Sequence, residues 1–145
     1  MFGLETHSPP PRAPPQTLIV LLQCLQCGLV QLKHTIDGSE LYEHEYGYQS
    51  GISNTMRAHL QAFNEEIRGK VPLSAGDAVL DIGSNDSTFL RFYPEGLRRI
   101  GCDPTGKQFA KYYVNGLELV PNYFTKENIA SALGENAPKF KVTSR

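Results

Sequence analysis

Between residues 78 and 144, short apolar runs of strand length alternate with stretches that carry helix signals. AVLDIG (78–83), RRIGCD (98–103), LELVPNYF (117–124) and KFKVTS (139–144) read as extended. STFLRFY (87–93) reads as a short helix stopped by Pro94, GKQFAKYYVNG (106–116) as a helix closed by Asn115-Gly116, and KENIASALG (126–134) as a helix capped by Thr125 and ended by Gly134. Strands separated by helices cannot pair as tight hairpins, so each connection must cross back over the sheet, and the neighbours become parallel. The class is therefore α/β, a doubly wound sheet with helices on its faces. A full sheet of this kind has about five or six parallel strands. The pattern supplies at most four, so the chain reads as an incomplete domain, a fragment or a truncation.

Upstream the pattern differs. Residues 1–16 hold five of the ten prolines and predict an extended arm. TLIVLL (17–22) predicts a buried strand, and QCLQCGLVQL a turn followed by a second short strand. Residues 36–52 read as a glycine- and aromatic-rich loop. From position 54, Met56, Leu60, Phe63 and Ile67 recur at helical spacing, with Ser53 or Asn54 to cap the start and Gly69 and Pro72 to end it. The expected organisation is an arm at 1–16, a small module at 17–35, a loop and linker helix at 36–70, and the α/β domain from 71 to 145.

Charge excludes some functions. The chain carries 14 basic and 15 acidic residues, with no basic stripe, so nucleic acid is not an expected partner. The longest apolar run, Leu18–Leu22, is far below the roughly 20 residues of a membrane span. Three cysteines without a secretion signal point to the reducing cytoplasm.

The first strand of the alternating region ends in Asp81-Ile82-Gly83-Ser84-Asn85. In open α/β sheets ligands bind beyond the carboxyl ends of the strands, and a glycine there lets the backbone approach a ligand. A helix after the turn would offer free amides. Asp103 follows 22 residues after Asp81, at the end of the next strand, where dinucleotide-type sites hold ribose hydroxyls. A pyrophosphate needs G-x-G-x-x-G, whereas this turn reads G-S-N-D-S-T, with Asn85 and anionic Asp86 to crowd and repel it. A phosphate-free cofactor with a cationic centre and a ribose fits better, and S-adenosylmethionine has that character. A plain strand–turn–helix with a packing glycine is the alternative.

VLDIGSNDSTFL, GCDPTGKQFAKYY and the upstream YGYQSGISNTMRAHL together resemble the class I S-adenosylmethionine-dependent C-methyltransferases that act on nucleotide-linked deoxysugars. The likeness covers about residues 18–145. It implies a Rossmann-like domain preceded by a zinc-ribbon-like module, of which CLQCGLVQL would be the second half. It implies that Asp81, Gly83, Ser84 and Asn85 shape the methionine end of the cofactor. Asp103 would hold the ribose, with Pro104 and Thr105 on the adenine side. Tyr46, Tyr48, Ser50, Asn54 and Met56 would form a lid, in which Tyr46 or Tyr48 could assist removal of a proton from the carbon being methylated. The implied substrate is a small nucleotide-sugar. Three departures stand out. Ser87 replaces a glycine usual in the family, which costs about 1 kcal/mol only if its φ is positive. The first cysteine pair of the module is missing, and the family's Glu-His pair lies beyond position 145.

Cys24-x-x-Cys27-Gly28 has zinc-knuckle spacing but supplies two of four ligands. His7 and His34 have no recommending spacing, and a reduced, metal-free pair is the other reading. Tyr112 and Tyr113 divide between sheet packing and the adenine edge, Phe89 and Phe92 read as core, and His59 as structural. An NAD-dependent oxidoreductase and a non-enzymatic remnant, self-associating through an exposed sheet edge or needing a partner chain, are the competing readings.

Overall fold

The computed structural model describes residues 19–35, 37, 38, 42 and 46–144. The proline-rich arm, Thr17, Leu18, His7 and His44 lie outside the described residues. The chain divides into two compact units, residues 1–37 and 38–145.

In the first unit, β1 (Leu21–Gln23) and β2 (Val30–Leu32) form an antiparallel hairpin, with Leu21 opposite Leu32. Cys24 and Cys27 sit in its turn, closed by the Gly28 amide donating to the Cys24 carbonyl at 2.9 Å with Gly28 at φ +76°. The buried strand expected at 17–22 is not what forms. Leu21 and Leu22 are 65% and 44% exposed, because a two-stranded ribbon has no second layer to cover its apolar side chains.

In the second unit, α1 (Asn54–Lys70) starts at Ser53, whose hydroxyl accepts the Met56 amide at 3.3 Å. Four parallel strands follow: β3 (Ala78–Ile82), β4 (Arg98–Cys102), β5 (Leu117–Val120) and β6 (Phe140–Ser144). Their order across the sheet is β5-β4-β3-β6. The chain works outward from β3 on one side and then returns to pair β6 against its other edge. Strand order therefore reverses at β3, the position at which open α/β sheets form a crevice beyond their carboxyl ends.

Alternation along β3 sends Val79 to one face and Leu80 to the other. Val79 joins Phe89, Leu90, Tyr93, Leu97 and Leu117, and Leu60 and Ile67 of α1 pack against them. Leu80 joins Ile100, Cys102, Val120 and Leu133, with Ile129 packed alongside. Ile129 and Leu133 come from α3 (Lys126–Leu133), capped by Thr125, whose Oγ1 accepts the Asn128 amide at 3.0 Å. Both faces are thus covered by helices, as a partial Rossmann-like doubly wound sheet requires.

Two helices are shorter than the sequence suggests. STFLRFY forms only a 3₁₀ turn at Leu90–Phe92. Ser87 sits at φ +62°, outside the helical region, and the Thr88 amide is taken by the Asp86 carboxylate, so no α-helix can start before Pro94 intervenes. The run after Asp103 gives α2 (Gly106–Phe109) and a 3₁₀ turn at Ala110–Tyr112, and Asn115 and Gly116 then turn left-handed at φ +56° and +76°. Phe89 is core; Phe92 is half-buried and His59 is exposed.

Candidate functional site

Beyond the carboxyl ends of β3 and β4 lies a cleft of about 590 Å³. That is the size of a small-molecule pocket, about 300–1,000 Å³. Its floor is made by Ile82, Gly83, Cys102 and Asp103, and its walls include Asn85, Pro104, Thr105, Tyr123 and Phe124. Tyr42, Tyr46, Tyr48 and Ser50 close the remaining side. Among the described residues no lysine, arginine or histidine lines it. A smaller recess of about 130 Å³ adjoins it, sharing Ser50, Ile82 and Gly83, and is lined by Asp81, Ser84 and Ser144 against Leu60, Phe63 and Phe89.

Asp103 is held from three sides. One carboxylate oxygen accepts the Asn85 amide at 2.8 Å, and the other accepts the Thr105 amide at 2.7 Å and the Thr105 hydroxyl at 2.5 Å. This fixes the carboxylate at the cleft floor while leaving lone pairs for a ligand. The next strand tip is different. Asp81 is 7% exposed, and its partner is the Ser144 hydroxyl, donating at 2.9 Å from the adjacent β6. Burial, opposed by that hydroxyl and reinforced by the nearby Asp103 charge, pushes its carboxyl up to about 6.

The helix expected beyond Gly83 does not form, and four amides of the turn are spent internally. Gly83 bonds the Cys102 carbonyl at 2.8 Å, Asn85 bonds Asp103, Ser87 bonds the Ser84 carbonyl at 2.9 Å and Thr88 bonds Asp86 at 3.1 Å. Gly83 at φ +75° nevertheless exposes bare backbone to the cleft. Beneath the turn, the Ser84 and Tyr113 hydroxyls lie 2.7 Å apart, and Tyr113 also donates to the Asn85 carbonyl at 3.1 Å. Gly101 is required there: a Cβ would lie 2.5 Å from Ser84 Oγ.

Of the residues singled out in the sequence, Tyr46, Tyr48, Ser50, Gly83, Asn85, Asp103, Pro104 and Thr105 line the large cleft. Asp81 and Ser84 face the smaller recess, and Asn54 and Met56 line neither. Tyr113 packs against the sheet core, and neither it nor Tyr112 lines the cleft; the Tyr112 ring stands beside Arg91 and Lys111. Tyr123 and Phe124 were not legible as site residues, although they close the strand-like run 117–124 and follow the actual strand end at Val120. Burial, then the charges of Tyr42, Asp103 and Tyr48, raises the Tyr46 phenol above its ordinary value of 10.0, so it stands in the cleft as a neutral hydrogen-bond donor.

Cys24 and Cys27 are exposed thiols. Hydrogen bonds from the Cys27 and Gln26 amides hold the Cys24 thiol below its ordinary value. Among the described residues no three His, Cys, Asp or Glu side chains come together, so the thiols supply half of a tetrahedral sphere and do not fit a closed metal site. Cys102 is buried, donates to the Asn122 carbonyl at 3.2 Å, and is pushed up to about 11 by burial and the Asp103 charge.

No family model matches the chain. It is similar to the C-methyltransferase NovU of Streptomyces niveus, with 29% identity over 105 residues, which cover 72% of this chain and 25% of that protein. The chain thus spans about a quarter of the length of this curated relative.

Proposed function

We propose that this chain is the cofactor-binding part of an S-adenosylmethionine-dependent C-methyltransferase acting on a nucleotide-linked deoxysugar or a related small molecule. The observation that carries the reading is the cleft itself. It offers an acid held just past β4 for a ribose, a bare glycine at the tip of β3 and, among the described residues, no cation for a pyrophosphate. The likeness to a C-methyltransferase supports the same choice over a nicotinamide enzyme.

When bound, the cofactor would supply an electrophilic methyl group. Asp103 would accept the ribose hydroxyls, with Pro104 and Thr105 bordering the adenine. Gly83 and Asn85 would border the amino-acid end, and Asp81 and Ser84 would stand in the adjoining recess. Tyr46, kept protonated, would donate a hydrogen bond to the acceptor molecule. Tyr48, 47% exposed at the mouth, is the other candidate to handle its proton. The free thiols suit a reducing cytoplasm, and no helix among the described residues is long and apolar enough to cross a membrane.

Calorimetric titration with S-adenosylmethionine, S-adenosylhomocysteine and NAD tests the reading. Saturable binding of the two adenosyl ligands and none of NAD is the expected result. Binding of NAD alone would replace it with an oxidoreductase, and binding of none would leave a non-enzymatic chain.

A further inference from the structure

Residues 46–51 cross one side of the cleft without belonging to any helix or strand. The segment is nevertheless fastened at nearly every step, and by side chains. The Asn85 amide group works as a surrogate for a neighbouring strand: its oxygen accepts the Ser50 amide at 3.0 Å and its nitrogen donates to the Tyr48 carbonyl at 3.0 Å. Asp86 accepts the Gly51 amide at 3.0 Å. Gln108 donates to the Tyr46 carbonyl at 3.0 Å, and Tyr112 to Gln49 at 3.4 Å.

The fastening points are built in turn. Asp86 is fully buried, bonds the Thr88 hydroxyl at 2.6 Å and lies 3.9 Å from Arg91. Gly51 fits because it has no side chain, since a Cβ would stand 2.6 Å from the Asp86 carboxylate and 2.7 Å from Thr88 Oγ1. Asn85 is held by its own backbone, its amide on Asp103 and its carbonyl on Tyr113. One residue of the glycine turn thereby touches both the cleft-floor acid and the strap over the cleft. A segment with no ladder of its own can let go of such side chains without breaking the sheet.

We propose that Asn85 and Asp86 latch residues 46–51, the segment the family resemblance already reads as part of a lid, to the glycine turn, and that Asn85 is the positioning residue that sets its closure. The latch stands on these contacts; its use in retaining an adenosyl ligand rests on the function proposed above. The sequence GSND thus departs from a phosphate-binding turn for a positive reason, because its polar side chains grip the chain that covers the site.

Amide hydrogen exchange on the ligand-free chain tests the latch, with Asn85→Gly as the main variant because glycine accepts the +47° φ of this position without strain. The Ser50 amide should exchange about tenfold faster, the scale of a lost pair of hydrogen bonds, while the β3 and β4 amides stay protected. Gln108→Ala, at an exposed position, should loosen the strap less. Stopped-flow dissociation of S-adenosylhomocysteine should then accelerate by about tenfold in Asn85→Gly, with a much smaller change in association. Unchanged exchange at Ser50 in both variants would overturn the latch. So would faster exchange there with an unaltered dissociation rate. If neither protein binds the adenosyl ligand, the functional reading fails, and the exchange result still decides the latch.

Discussion

Asp81, opposite Gly101 near the end of β3, and Asp103, just past the end of β4, are neighbouring acids held in different ways. Asp103 faces two backbone amides and a hydroxyl, a donor set that locks its orientation. Asp81 faces one hydroxyl in a recess walled by Leu60, Phe63 and Phe89, and its carboxyl rises to about 6. Position on a strand tip does not decide what a carboxylate does; the donors that the following residues deliver do. Asp103 is followed by a tight turn that folds Thr105 back onto it, whereas Asp81 is followed by Ile82 and a glycine whose amide goes to β4 instead.

Removing Asp103 should be the largest perturbation. Asp103→Ala orphans the Asn85 amide and both Thr105 donors, and should cost about 4 kcal/mol in chemical denaturation. Asp103→Asn, which keeps an acceptor, should lower adenosyl-ligand affinity by roughly 30- to 100-fold in calorimetry. Equal losses from Asp81→Asn would break the distinction between the two acids.

Asp81 should instead show itself through pH. Its folded-state value lies above the ordinary 3.8, so the folded chain binds its proton more tightly than the unfolded chain does. The stability it contributes is present below about pH 4, is lost as pH rises through about 6, and stays lost above. The shift is worth at most about 3 kcal/mol. Asp81→Asn should remove that decline and be more stable than wild type at pH 8. Asp86 acts in the opposite sense. Burial opposes its charge, but bonds from Thr88, Gln49 and Gly51 outweigh it and hold its carboxyl below the ordinary range, so its contribution is lost as pH falls. The difference between wild type and Asp81→Asn, measured by denaturation from pH 4 to 8, isolates the first effect.

Gly51→Ala should push the strap off Asp86 and weaken adenosyl-ligand binding by about tenfold, with little change in sheet stability. Ser87→Gly should be the smallest. It relieves about 1 kcal/mol of strain at φ +62° but gives up the Ser87 hydroxyl bond to the Tyr112 carbonyl at 3.0 Å, so the thermal midpoint should scarcely move. A large loss would mean that the hydroxyl, rather than the backbone shape, sets the turn.

The parallel sheet was legible because β-branched and apolar runs declare buried strands, and Asp103 was legible from its spacing to Asp81. The loss of the helix expected at 87–93 was not. It depends on Ser87 turning left-handed and on Asp86 capturing the Thr88 amide, and neither leaves a mark in periodicity. The clamp by Asn85 was hidden for another reason, as it joins residues 35 positions apart through a side chain that local patterns treat as turn chemistry. The exposure of Leu21 and Leu22 was misread because an apolar run predicts burial only where a second layer exists to bury it.

A two-dimensional amide NMR titration with S-adenosylhomocysteine tests the central claim most directly. The account predicts saturable shifts concentrated at Gly83, Asn85, Asp103 and Thr105, with Ser50 and Gly51 following and the Cys24–Cys27 turn unmoved. An unshifted spectrum, or shifts that centre away from the tips of β3 and β4, would contradict it.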